Sequence, residues 1–250
     1  MPRFSNGPVE IAYLDEGQGE PIFLIHGFAS TKEVNWVQPA WVATLTDAGR
    51  RVIALDNRGH GEYSKLYEPA DYHTTRMAGD VRALIGHLEF GRVDVMGYSM
   101  GARIAAFLAV EHPALVRSLV LGGLGMHLID GVGLPETIAD ALEAPSLAEV
   151  RESQGRTFRA FAEQTRSDRR ALAACIRGSR QVMTREQAAA MAVPTLVAVG
   201  SKDSIAGSAD ALAALLPDGR ALAIPNRDHM LAVGDRVFKA GVLEFLKEHA

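Results

Sequence analysis

The sequence predicts an α/β fold in which a mostly parallel central sheet is flanked by helices, and three observations predict it. Short apolar runs alternate with stretches of helical periodicity, a serine between two glycines stands at one run-to-helix junction, and a single long interval lacks any strand pattern. Alternation of this kind marks βα units, whose strands are covered on both faces and therefore read as nearly continuous apolar runs. The 250 residues can bury one full core, and a composition of 48% hydrophobic and 22% charged residues is that of a globular chain.

Taken in order, the apolar runs fall at residues 21–25, 52–55, 93–96, 116–121, 194–199 and 221–224, each ending near Gly or Asp as a strand entering a loop would. Helical spacing appears at 74–88, 102–110 and 237–246. The middle helix is expected to stop at His112, because Pro113 has no N–H to donate and disfavours helical geometry in the residue before it. From 126 to 192 the chain is rich in Ala, Leu, Arg and Glu, broken by Pro135, Pro145 and Gly155, and reads as an inserted helical lid. The expected division is a core of residues 1–125 and 193–250 with a cap of residues 126–192. In the cap, Leu142, Leu147, Phe158, Phe161 and Leu172 are interleaved with Arg151, Arg159, Arg166, Arg169 and Arg170, so one face can close over a site while the other stays solvated. A lid this compact predicts a closed cavity suited to small or medium substrates.

The formal charge of −4, with Lys and Arg dispersed along the chain, provides no basic stripe for a phosphate backbone, so nucleic acid is not an expected partner. No apolar run approaches the roughly 18 to 20 residues of a membrane span. Asn6, Gly7 and Pro8 sit where a signal peptide would need an apolar core, and Cys175, the single cysteine, cannot form an internal disulfide. The expectation is a cytoplasmic protein acting on a small molecule. No metal or other cofactor is expected, since His73, His87, His112, His127 and His249 show no ligand spacing, although His127 is placed where it can line a pocket.

The strongest local signal is Gly97-Tyr98-Ser99-Met100-Gly101, which follows the run 93–96 and precedes the helical segment at 102–110. A sharp strand-to-helix turn needs small neighbours around a strained central residue, and it lifts the serine hydroxyl clear of the sheet. A hydroxyl is a weak nucleophile at neutral pH, so a base must take its proton and a third group must fix the tautomer of that base. His229, after the last run, is the candidate base, and Asp203, after the run before it, the candidate acid. Asp228 adjoins His229, so its side chain is expected to diverge from the imidazole, and Asp56 belongs to an earlier loop. Attack would create an oxyanion needing preorganised N–H donors. Met100 offers one at a helix start, and Phe28, in the loop His26-Gly27-Phe28-Ala29, is the expected second.

These elements together with Asp56-Asn57-Arg58-Gly59-His60-Gly61, Ser64 and Gly200 to Asp203 resemble the α/β-hydrolase superfamily across roughly residues 20 to 230. The resemblance implies an eight-stranded-type sheet, a lid inserted after the sixth strand, and a Ser99–His229–Asp203 triad cleaving a small ester, lactone or related acyl substrate. Arg58 and His60 are expected to tie loops together rather than act on substrate. The elbow is also similar to that of menaquinone-pathway lyases of this fold, in which an arginine four residues after the serine helps hold a carboxylated substrate. Arg103 occupies that place, with an ion pair on the helix face as its plainer role. His26, Gly27, Arg103 and His127 are therefore the candidate substrate contacts. A carbon–carbon or elimination lyase and a small-molecule receptor of this fold stay open beside the hydrolase.

Overall fold

The computed structural model of the chain describes residues 1–249. Its sheet has eight strands: β1 (Arg3–Asn6), β2 (Val9–Glu16), β3 (Glu20–Ile25), β4 (Arg50–Leu55), β5 (Val93–Tyr98), β6 (Val116–Gly122), β7 (Thr195–Gly200) and β8 (Gly219–Ile224), in the spatial order β1-β2-β4-β3-β5-β6-β7-β8. From β3 to β8 every pairing is parallel, while β2 runs antiparallel to β4, with Tyr13 opposite Leu55. The six strands expected from the apolar runs are β3 to β8. The β1–β2 hairpin is not among those runs, because β1 has no buried residue and β2 mixes the buried Val9, Ile11, Ala12 and Tyr13 with the charged Glu10, Asp15 and Glu16.

The core lies in two layers, and adjacent residues of one strand sort between them because side chains alternate across a sheet. In β3, Phe23 and Ile25 face one cluster, while Ile22 and Leu24 face the other. Nine α-helices are described: α1 (Trp41–Asp47), α2 (Thr74–His87), α3 (Met100–Glu111), α4 (Thr137–Glu143), α5 (Ser153–Gln164), α6 (Arg169–Gly178), α7 (Arg185–Ala189), α8 (Ala209–Ala213) and α9 (Arg236–Glu248). In α3 all ten residues from Met100 to Ala109 are buried, as befits a helix packed on more than one side. It ends as expected, with His112 as its C-cap. Below the sheet, Trp41 of α1 meets Phe238 of α9 edge to face, with ring centroids 5.0 Å apart.

The stretch between β6 and β7 holds α4 to α7 and, among the described residues, no strand. Its helices α4 and α6 draw Leu142 and Leu172 into the same apolar cluster that contains Met100 and Leu124. None of the described helices is long and apolar enough to cross a membrane.

Candidate active site

Ser99 sits between the end of β5 and the start of α3, with φ 55° and ψ −114°. A non-glycine residue at positive φ costs on the order of 1–3 kcal/mol and persists only where its surroundings enforce it. The flanking glycines show what enforces it. A Cβ at Gly97 would run into the Gly101 carbonyl, and one at Gly101 into the carbonyls of Ile25 and His26. The turn is further pinned by the Ser99 amide, which donates to the Gly122 carbonyl at 2.8 Å.

Three chain-distant side chains converge here. His229 Nε2 lies 2.9 Å from Ser99 Oγ, and His229 Nδ1 lies 2.8 Å from Asp203 Oδ2. The Asp203 carboxyl is fully buried, and its Oδ1 accepts from the amides of Ile205 (2.8 Å) and Ala206 (3.1 Å), which fixes its plane. Asp228 points elsewhere: its carboxylate caps the turn that follows by accepting from the amides of Met230 and Leu231. Ser64 and Ser201, also in loops after strands, are occupied elsewhere: Ser64 Oγ accepts from the Glu10 amide and Ser201 Oγ from the Asn226 amide.

Among the described residues, the backbone amides of Phe28 and Met100 have no hydrogen-bond acceptor. For Met100 this follows from its place at the first turn of α3, whose N-cap, Ser99, makes no side-chain capping bond. The Phe28 loop is held from both sides. The Gly27 amide donates to Asn35 Oδ1 at 3.0 Å, and the Ala29 amide donates to His60 Nε2 at 3.1 Å. His60 Nδ1 in turn contacts the Arg58 carbonyl at 2.7 Å. Burial, reinforced by the neighbouring His26, pushes the His60 pKa down to about 3, so the ring is neutral and its Nε2 is free to accept. Arg58 binds both oxygens of Asp80 and the Asp71 carbonyl, which makes this loop motif a tie between elements.

Two cavities meet at Ser99. One, of about 40 Å³, is bordered by Met100, Arg103, Leu124, Val132, Ile176 and Ser179 among others. The second, of about 200 Å³, is bordered by Gly27, Asn35, Tyr98, Phe158, Phe161 and His229 among others. Phe28, Ser99 and Leu134 border both.

Of the four residues expected to touch substrate, Gly27 and Arg103 border a cavity, and His26 and His127 do not. His26 is fully buried: Nδ1 contacts the Gly27 carbonyl at 2.8 Å and Nε2 accepts from the Asn57 amide at 2.9 Å, so its ring braces two loops and borders neither cavity. His127 contacts the Ile205 carbonyl through Nδ1 at 2.7 Å and likewise borders neither cavity. Arg103 does border the small cavity, but its terminal nitrogens donate to the carbonyls of His127, Leu128, Gly131 and Gln181 at 2.6 to 3.4 Å. The ion pair considered for it does not form either; no carboxylate pairs with it among the described residues. Burial lowers its pKa to about 10, which still leaves it cationic at neutral pH.

Sequence reasoning missed Asn35 and the Tyr98 hydroxyl. Asn35 lies in a turn of π-helix (Glu33–Val37), and its Nδ2 has no partner. The Tyr98 hydroxyl donates to the His229 carbonyl at 2.6 Å and so fixes the loop that carries the imidazole. Tyr98 could have been suspected from its place inside the elbow; nothing in the sequence marks Asn35.

The α/β-hydrolase fold family matches residues 20–184, and the chain belongs to that family. Over its whole length it is similar to non-heme chloroperoxidase CPO-A1 of Kitasatospora aureofaciens, at 27% identity with 96% of this chain and 97% of that one covered. Among solved structures it is similar to a hydrolase from Pseudomonas aeruginosa PA01 (27% identity, 98% and 97% covered, TM-score 0.78). It is also similar to a thermophilic esterase from Thermogutta terrifontis (26% identity, 100% of both chains covered, TM-score 0.80). Several further curated relatives, 2-hydroxymuconate semialdehyde hydrolase of Pseudomonas sp. (strain CF600) among them, are matched over less than half of their own length, 47% in that case. The chain is thus an enzyme of the α/β-hydrolase fold.

Proposed function

We propose that the protein is a serine hydrolase that cleaves small esters or related acyl compounds through an acyl-enzyme on Ser99. The observation that carries this reading is the continuous relay from Ser99 Oγ through both nitrogens of His229 to a buried Asp203 carboxylate. With Nδ1–H donated to Asp203, Nε2 presents its lone pair to the serine proton. Ser99 Oγ then forms a bond to the substrate carbonyl carbon, its proton passes to Nε2, and the carbonyl π pair moves onto oxygen. The unpaired amides of Phe28 and Met100 are the donors for that oxyanion. Collapse of the intermediate breaks the bond to the leaving oxygen, which takes the proton back from Nε2. Water repeats the sequence on the acyl-enzyme and regenerates the serine, releasing an acid and an alcohol.

In this reading the helices between β6 and β7 form the lid of the site, supported by the place of Leu134, Phe158 and Phe161 on the cavity walls. A lyase acting on a carboxylated substrate is disfavoured, since Arg103 spends its terminal N–H groups on backbone carbonyls. A single, buried cysteine supports a reducing, cytoplasmic setting. The test is labelling with a fluorophosphonate probe followed by peptide mapping. Label on Ser99, lost in Ser99→Ala, is the expected result; label on Ser64 or Ser201, or none at all, would refute the assignment.

A further inference from the structure

We infer that the preferred substrate is an ester of a short-chain acid with a bulky apolar alcohol, the acyl part seated in the cavity beside Met100 and the alcohol part in the cavity beside His229. This rests on the hydrolase reading above and adds an orientation to it.

The two cavities differ fivefold in size and in which reacting group they contain. Both reach Ser99, so both can receive a substituent of the tetrahedral carbon formed there. His229 borders only the larger one. In acyl transfer the leaving oxygen must collect its proton from His229 Nε2 as the bond to carbon breaks, and that oxygen therefore has to lie on the imidazole side. Whatever hangs from it extends into the larger cavity. The acyl chain, on the opposite side of the reacting carbon, is left with the smaller one, whose walls include Met100, Leu124, Val132 and Ile176.

Size then sets the class of each part. The cavity beside Met100, at about 40 Å³, is the tighter of the two and suits the shorter substituent, a short acyl chain. The neighbouring cavity of about 200 Å³ has room for a one- or two-ring group. Its walls carry Val34, Phe158, Phe161 and Val233, so it favours an apolar occupant, and aromatic rings can meet the two phenylalanines edge to face.

The test uses an isomeric pair, 2-naphthylmethyl acetate and methyl 2-naphthylacetate, which have the same atoms and differ in which side of the ester carries the rings. Both leaving groups are simple alkoxides, so intrinsic reactivity does not decide the comparison. The acetate should be hydrolysed at least about 10-fold faster in kcat/KM, the order of discrimination that a misfit of one or a few carbons produces. Ile176→Ala, which enlarges the small cavity, should narrow that gap and raise activity on hexanoyl relative to acetyl esters, with Ile176→Val as the milder version if the alanine variant does not fold. Phe161→Trp, which narrows the larger cavity, should lower kcat/KM for the naphthylmethyl acetate by a larger factor than for ethyl acetate. Equal or faster hydrolysis of methyl 2-naphthylacetate would overturn the orientation, as would an Ile176 variant that altered alcohol preference and not acyl preference. Turnover of neither isomer while the fluorophosphonate probe labels Ser99 would overturn this inference alone; absence of labelling would instead sink the hydrolase reading beneath it.

Discussion

Acid should unfold this protein partly through a residue that never touches substrate. His60 is completely buried, accepts from the Ala29 amide through Nε2 and has a folded-state pKa of about 3. Its unfolded value lies near 6.5, so between those limits the unfolded chain binds the proton and the folded chain does not. The contribution to stability is fully present above about pH 6.5. It is lost as pH falls, at up to about 1.4 kcal/mol per unit, reaching about 2.7 kcal/mol by pH 4.5. Native domains are stable by only about 5–15 kcal/mol, so the loss is large. His26, whose ring centroid lies 5.2 Å from that of His60 and whose pKa is also lowered by burial, adds to the effect in the same direction. Urea denaturation of the wild type and of His60→Gln at pH 7 and pH 4.5 isolates the His60 share. The variant should be less stable at pH 7 yet lose about 2.7 kcal/mol less on acidification, a figure that follows from the same linkage. Identical pH slopes for the two proteins would refute the reasoning.

Asp203→Asn should fold normally and lose activity by about 10⁴-fold, because an amide holds the imidazole in the wrong tautomer, whereas Asp228→Asn should lose little; the reverse ranking of kcat would exchange their roles. Arg103→Leu should destabilise the protein by about 3 kcal/mol or more, since buried carbonyls lose charge-assisted donors, and limited proteolysis should then cut first near Gly131 and Gln181. Stability unchanged in guanidinium titrations would show that these bonds are dispensable. Gly101→Ala should yield little folded protein, because the new methyl meets the carbonyls of Ile25 and His26; a soluble variant with wild-type circular dichroism would contradict the steric account.

The parallel part of the sheet was legible because covering both faces of a strand leaves an apolar run, as in β3, where every residue after Glu20 is buried. The edge strands follow a different rule. β8 is largely exposed, and its first two residues, Gly219 and Arg220, lie outside the apolar run; β1 has no buried residue, and β2, just inside it, mixes buried Val9, Ile11, Ala12 and Tyr13 with charged Glu10, Asp15 and Glu16, so neither leaves a run. Within the candidate site, Ser99, Asp203 and His229 were singled out because each stands where a strand ends and a loop can carry a side chain over the sheet. The substrate contacts were less legible. His26 and His127 are candidates by their places in the loops after two strands, but what occupies them is backbone, and carbonyl or amide partners leave no mark on the sequence. The same blindness hid the true partners of Arg103.

The carbonyls gripped by Arg103 belong to His127, Leu128 and Gly131 on one side and Gln181 on the other, and the Met183 amide closes the base by donating to the Leu128 carbonyl. The intervening chain is therefore staked at its two feet to the helix that begins at the nucleophile. Such a segment is a cassette: it can gain, lose or exchange residues between its feet while the register of the elbow is held from below. Substitutions between the feet reach the cavity walls at Leu134, Phe158 and Phe161, while one arginine keeps the helix of the nucleophile tied to both feet.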